Sequence, residues 1–359
     1  MTDELQQVDR TYVLWNKRRL SYFAGCDYFR LSSHPAILRA LKQGLDRCGL
    51  NVAASRLTTG NHLLFTRLEE ALARFFTAPV ALLAGSGYTA NLIAAQGLRD
   101  DFSHVLIDAR AHLSLRDACR FFDRPPLEFK HRDPQSLARQ LRRLPRQARP
   151  LVLTDGLFAR DGEIAPLRDY LKILPPGGLI LLDDAHAAGV IGASGQGTLE
   201  YAGLSRRRIV QTVTLSKAFG AFGGAILCGR SLRRKIIARS GMFAGATPVP
   251  LPLVNAALAG MDLLRRDPGL RSRLGRNLNY LKDALRAGGI ASPRTPAPIV
   301  CIVPRDAAQA AALRRRLLAR GVFPSFIHYP GQPEGGYYRF VVSSEHSIKQ
   351  LDDLLAALL

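Results

Sequence analysis

From about residue 66 to residue 230 the chain alternates apolar runs of strand length with stretches of helical periodicity. The runs at 80–83, 105–108, 151–155, 179–183, 209–215 and 225–228 are dominated by Val, Ile, Leu and Ala, and amphipathic stretches lie between them at 67–76, 115–122 and 134–144. Runs that are apolar on both faces read as strands covered by helices above and below, so the alternation predicts an α/β domain with a largely parallel central sheet flanked by helices. In such sheets ligands collect beyond the carboxyl ends of the strands. There the chain places AGSGYTAN, DARAH, TDG, DDAH and LSK, each directly after a predicted strand.

Two of these segments carry most of the chemistry. Lys217 stands in TLSKAFGAFGGAI, between the 209–215 run and a glycine-rich loop. Such a loop lets a planar group approach the backbone closely, and a lysine amine there can form a Schiff base with an aldehyde. Asp183 opens DDAHAAGVIGASGQG, with His186 in the same turn. A carboxylate and an imidazole at that spacing reach one aromatic ring, the first pairing with a protonated pyridine nitrogen and the second with a phenolic oxygen. With the lysine they point to pyridoxal phosphate, whose ring acts as an electron sink. Each residue also has an ordinary structural reading: a surface lysine, a helix N-cap and a satisfied buried histidine. GSGYTAN, 85–91, opens a helical pattern after a strand, so its free backbone N–H groups suit a phosphate.

A chain of 359 residues buries a sizeable core and divides into one large and one smaller domain or two of similar size. The proline-rich ATPVPLP at 246–252 marks a break, giving an expected N-terminal segment 1–35, a cofactor domain 36–252 and a C-terminal α+β domain 253–359. In the last of these, helical patterns at 253–265, 278–286 and 307–320 and a closing helix accompany strand-like runs at 299–303, 322–327 and 338–343. The net charge of +21 comes from dispersed arginine runs without interleaved aromatics, which reads as solvated basic faces or a field that attracts an acidic small molecule or carrier protein, and argues against nucleic acid. No run is long and apolar enough for a membrane span. The polar start MTDELQQVDR resembles no targeting peptide, and Cys26, Cys48, Cys119, Cys228 and Cys301 show no metal-ligand spacing, so a cytoplasmic protein with reduced thiols and no metal is expected.

Over roughly residues 20–359 the chain resembles the α-oxoamine synthases, fold-type I pyridoxal-phosphate acyltransferases, through DDAHAAGVIGASGQG, TLSKAFG, SRLTTGN and RFVVSSEH. The resemblance implies a Schiff base on Lys217, a pyridine-nitrogen contact from Asp183, an O3′ contact from His186 and a stacked His112. It places the phosphate on the backbone at Gly87 and Tyr88 and on Thr247 supplied by a partner subunit, hence a homodimer with a shared active site, and it matches Thr214, among the cofactor contacts, to the hydroxyl before the lysine. Arg339 matches the clamp for an amino-acid carboxylate, a bidentate task that suits guanidinium. The implied reaction is a decarboxylative Claisen condensation of a small amino acid with an acyl thioester of coenzyme A or an acyl carrier protein, giving an α-aminoketone.

Several positions depart from the family pattern. NDYLGL reads CDYFRL, with Cys26 for asparagine and Arg30 for glycine, and the glutamate and serine of E-x-x-F-S-M-D-G become Asp155 and Ala159. Phe65 replaces the histidine of G-N-x-x-x-H, and YPGQPEGGYY before Arg339 lacks a threonine. These changes point to a different acyl chain or amino acid, or a specialised pathway, while the core cofactor residues remain. Two other readings use the same scaffold: an aminotransferase, which needs Lys217 and Asp183 but releases no carbon dioxide, and a degenerate non-catalytic binding protein.

Overall fold

The computed structural model describes residues 4–328 and 335–359, and the chain divides into two compact units. The larger comprises residues 34–158 and 164–264, the smaller residues 1–33, 159–163 and 265–359. The expected boundary after residue 252 therefore falls inside one helix, Leu251–Arg266, and the one after residue 35 falls within Pro35–Cys48. The physical reason is a continuous apolar face: Val254, Ala257, Met261 and Leu264 are all buried, so the proline-rich break starts the helix and does not end the domain. The short segment 159–163 joins the smaller unit, which no compositional shift foretells.

Within the smaller unit, β1 (Gln6–Gln7), β2 (Tyr12–Trp15) and β3 (Arg18–Ser21) form an antiparallel sheet. The larger unit holds a seven-stranded sheet of β4 (Val80–Ala84), β5 (His104–Asp108), β6 (Leu127–Phe129), β7 (Pro150–Asp155), β8 (Leu179–Asp183), β9 (Ile209–Thr214) and β10 (Gly224–Cys228), in the order β4-β10-β9-β8-β7-β5-β6. β10 runs antiparallel to both neighbours and the rest are mutually parallel, so β4, β5, β7, β8 and β9 end on the same edge. The smaller unit adds a third sheet of β11 (Ile299–Ile302), β12 (Phe326–Ile327) and β13 (Tyr337–Val341), ordered β11-β13-β12.

Both faces of the large sheet are covered, which explains the unbroken apolar runs. Leu82, Val105, Leu151, Leu153, Leu181 and Ile226 pack on one side against the helices Gly87–Leu98 and Arg230–Arg239. Leu106, Val152, Ile180 and Leu182 pack on the other against Pro134–Arg142 and Leu167–Ile173. Each such side chain contributes roughly 1.5–3 kcal/mol by leaving water. The sheet is thus a rigid platform, and the loops at its carboxyl edge inherit fixed positions.

Candidate active site

Lys217 follows β9 and its Nζ lies 2.7 Å from His186 Nε2, which sits in the turn after β8. The loop carrying the lysine is pressed from behind: a Cβ at Gly260 of helix Leu251–Arg266 would stand 2.2 Å from the Phe219 carbonyl oxygen. Only hydrogen fits there, and the close approach fixes the loop's height.

Asp183 ends β8 and is buried. Its Oδ1 accepts the Ala185 N–H at 3.0 Å, and its Oδ2 accepts from Asn91 Nδ2 at 2.6 Å. Asn91 is itself completely buried, donates to Ser114 Oγ at 2.8 Å and accepts from Thr212 Oγ1 at 2.6 Å. Sheet register builds this cluster, because Asp155, Asp183 and Thr212 are Cα partners across β7, β8 and β9.

His112 reaches the same cluster from the loop after β5. That loop is pinned by buried Asp108, whose carboxylate accepts the Arg110 and Arg132 N–H groups at 2.8 and 2.9 Å. The His112 N–H donates to Asp155 Oδ2 at 2.8 Å, and its Nδ1 lies 2.7 Å from Ser114 Oγ while capping the helix Leu113–Ala118. Burial, with Asp183 close by, holds the Asp155 carboxyl well above the usual carboxylate range, partly offset by the His112 N–H. Desolvation and the Lys217 ammonium lower the His112 pKa, against the pull of the Asp183 carboxylate. The shortened Asp155 side chain therefore holds the backbone of the histidine loop. Asp184, next along, does structural work: buried, its pKa pushed up to about 6, it accepts from Thr198 N at 2.8 Å and Gln211 Nε2 at 2.5 Å.

The phosphate-loop candidates sit at the start of Gly87–Leu98. Ser86 and Thr89 form a capping box that satisfies the Thr89 and Ser86 N–H groups at 3.1 and 2.9 Å. The Gly87 and Tyr88 amides belong to the first turn, whose N–H groups have no partner within the helix. A Cβ at Gly87 would meet Thr214 Cβ at 2.9 Å, so the glycine brings helix start and Thr214 together. The Thr214 hydroxyl donates to Gly223 O at 3.2 Å and accepts the Ser216 N–H at 3.2 Å. Tyr88 meets the His112 ring edge-on, centroids 6.2 Å apart, and its hydroxyl donates to Asp117. Thr247 lines a cavity with Arg56, Phe65, Leu83, Gly85 and Val249. Phe65 is wholly buried beneath the Arg56 guanidinium, 4.9 Å from its ring centre, and Arg56 is ion-paired to Glu69.

Arg339 belongs to the smaller unit, on β13 opposite Cys301. Its Nη1 donates to Ala159 O at 3.3 Å, and its buried Nε has no partner among the described residues. Burial raises the Tyr28 hydroxyl, which Cys26 adjoins and the Arg339 charge offsets. Arg30 adopts φ 50°, the left-handed region that favours glycine, and its guanidinium donates to Tyr22 O at 2.7 Å. Residues 329–334 of YPGQPEGGYY lie outside the described residues.

In the larger unit the fold thus draws together Lys217, His186, Asp183 and His112, and separately Gly87 with Thr214. The donor set fits pyridoxal phosphate: a carboxylate oriented by an amide, an amine beside an imidazole, and first-turn amides beside a threonine hydroxyl. Asn91 and Ser114 are the residues that motif reading missed. The available signal was an amide on a helix face otherwise made of Ala90, Ile93 and Ala94, since a buried amide must find partners.

A lysine beyond the carboxyl edge of such a sheet, with an aspartate one strand over, defines a fold-type I transferase. The aminotransferase class I and II family model matches residues 26–358. The chain is 33% identical to the 8-amino-7-oxononanoate synthase of Trichlorobacter lovleyi, over 99% of this chain and 92% of that protein. A solved serine palmitoyltransferase of Sphingomonas wittichii shares 28% identity with a TM-score of 0.91, covering 98% of this chain and 89% of that one. A serine palmitoyltransferase solved with PLP gives 25% identity and a TM-score of 0.92, over 99% of this chain and 91% of that one. The chain belongs to the aminotransferase class I and II family, on its α-oxoamine synthase branch.

Proposed function

We propose that this protein is a pyridoxal-phosphate-dependent acyltransferase of the 8-amino-7-oxononanoate synthase type. It joins a small amino acid to an acyl thioester and releases carbon dioxide, the free thiol and an α-aminoketone. The observation that carries the reading is the contact of 2.7 Å between Lys217 Nζ and His186 Nε2 beside an Asp183 carboxylate held by Asn91.

When bound, pyridoxal phosphate supplies an electron-poor ring that accepts the electron pair left at the amino acid's α-carbon. Asp183 faces the ring nitrogen and keeps its proton in place, while His186 bonds the ring oxygen. The Gly87 and Tyr88 amides and the Thr214 hydroxyl hold the phosphate. Lys217 would hold the cofactor's aldehyde, and its amine is the base that takes the α-proton from the amino acid and later gives it back. His112 covers the ring and orients the acyl thioester carbonyl. Arg339 grips the amino acid's carboxylate until it leaves as carbon dioxide. Thr247 completes the phosphate site of a partner subunit in a homodimer. Among the described residues no helix is long and apolar enough to cross a membrane, and we place the enzyme in the cytoplasm. The acyl donor is anionic whether it is a coenzyme A or a carrier-protein thioester, which gives the +21 charge a role in encounter.

Incubation of the purified protein with single amino acids and acyl-coenzyme A tests this directly. Equal amounts of thiol and carbon dioxide are expected, together with borohydride labelling of Lys217 on peptide mapping. Amino-group exchange without carbon dioxide would move the protein to the aminotransferases.

A further inference from the structure

We infer that His112 works as a hydrogen-bond donor through Nε2, fixed in that tautomer by Ser114 and by a buried relay running through Asn91 to Asp183. The inference rests on the proposed function and assigns the form in which this imidazole meets the substrate.

The argument is one of donors and acceptors. The Ser114 backbone N–H can only donate, and it points at His112 Nδ1 from 3.2 Å. Nδ1 must therefore present a lone pair. Ser114 Oγ is 2.7 Å from the same nitrogen, and its proton direction follows from Asn91. The Asp183 carboxylate accepts at 2.6 Å, which turns the Asn91 amide nitrogen toward it. That nitrogen's second hydrogen then goes to Ser114 Oγ at 2.8 Å, while Thr212 Oγ1 donates to the amide oxygen at 2.6 Å. Ser114 is left to give its own proton to His112 Nδ1. With two donors on Nδ1, the imidazole's single proton sits on Nε2, and a doubly protonated ring would set N–H against N–H. The backbone bond from His112 N to Asp155 Oδ2, 2.8 Å, holds the residue in this pose. Asn91 and Ser114 are wholly buried, so water does not compete for these bonds.

The functional consequence is a division of labour. His112 can donate to a substrate oxygen, a carboxylate or a thioester carbonyl, but cannot take the α-proton, which falls to Lys217. Asn91 and Ser114 are positioning residues that act through His112.

Protein labelled with 15N-histidine, with and without pyridoxal phosphate, gives the test by long-range 1H–15N correlation NMR, with His112→Gln used for assignment. A non-protonated Nδ1 and a protonated Nε2 near neutral pH are expected in both states. A protonated Nδ1, or an imidazolium, would overturn the inference without folding being in question. Asn91→Asp replaces the relay's donor with an acceptor. The Nδ1 resonance is then expected to shift as the Ser114 hydroxyl turns to the new acceptor and leaves Nδ1 with the backbone donor alone, with kcat down about tenfold and KM for the amino acid little changed. An unchanged Nδ1 resonance and kcat in that variant would remove Asn91 from the relay. A protein with the Nε2–H signature but no condensation activity would instead sink the proposed function and leave the tautomer standing.

Discussion

The two units bury titratable groups to opposite effect. In the larger unit Asp155 and Asp184 are carboxyls whose burial raises their pKa values, that of Asp184 to about 6. In the smaller unit His346 is an imidazole whose burial, with Arg30 nearby, lowers its pKa to about 3. The carboxyls lie beside the chemistry, Asp155 holding the His112 loop and Asp184 the turn after β8. His346 is architectural: Nδ1 accepts the Ser343 N–H at 3.0 Å, Nε2 donates to Tyr22 O at 3.1 Å, and the ring stacks on Phe23 at 4.0 Å. Burial thus pushes both kinds of group toward their neutral forms, beside the site in the larger unit and at a join between chain ends in the smaller one.

The sharpest break in this comparison is at Asp183. Asp183→Asn keeps the shape and the Asn91 contact but removes the carboxylate that we propose pairs with the ring nitrogen. The expected outcome is a fall in kcat of about 10³-fold, equivalent to roughly 4 kcal/mol, with the melting temperature little changed. Steady-state kinetics beside thermal denaturation measure both. A variant that loses stability and keeps its rate would place Asp183 with the architectural groups.

His346 supplies the complementary test, on stability. Its folded pKa of about 3 lies below an unfolded value of about 6.5, so between these values the unfolded chain binds more protons. The stabilisation is complete above pH 6.5 and is lost as pH falls toward 3. From about pH 7 to about pH 5 this group alone costs roughly 2 kcal/mol. Asp184 has the reverse sign, since its raised folded pKa makes the larger unit gain stability as pH falls through about 6. Denaturant unfolding of wild type and His346→Gln at both pH values checks the term, because the variant should lose that much less on acidification. Hydrogen exchange should localise the acid loosening to residues 1–33 and 265–359. Equal slopes in the two proteins would show that His346 does not titrate across unfolding.

The same contrast explains what could be read from sequence. The larger unit was legible because most of its strands are apolar on both faces and Lys217, Asp183, His186 and His112 lie within a few positions of a strand's end, so motif and place coincide. β6 escaped, being short and carrying an exposed Glu128 between Leu127 and Phe129. The Asp183–Asn91–Ser114–His112 chain escaped for another reason: its members come from separate segments, and only register and helix packing join them. In the smaller unit β1 is two exposed glutamines, β2 is only four residues long and β3 opens on two exposed arginines, so none makes a long apolar run. The join between the two ends of the chain, Ser344 N–H to Tyr28 O at 3.0 Å and Arg10 to Glu345 at 2.7 Å, has no local signature at all. Arg30 shows a departure with a physical answer, a guanidinium on a carbonyl holding a backbone turn that otherwise calls for glycine.

The smallest expected effect tests the role proposed for Arg339 in the smaller unit. Arg339 spends Nη1 on the Ala159 carbonyl, and its Nε is buried without a partner among the described residues, so the guanidinium keeps a fork-shaped donor set for a carboxylate. Arg339→Lys preserves the charge and removes the fork. KM for the amino acid should rise about tenfold, roughly 1.4 kcal/mol, while kcat and the KM for the acyl thioester stay close to wild type. A fall in kcat with KM unchanged would mean that the arginine serves the transition state and not the resting carboxylate. No change in either constant would return Arg339 to the architectural side, as a residue that ties β13 to the 159–163 segment.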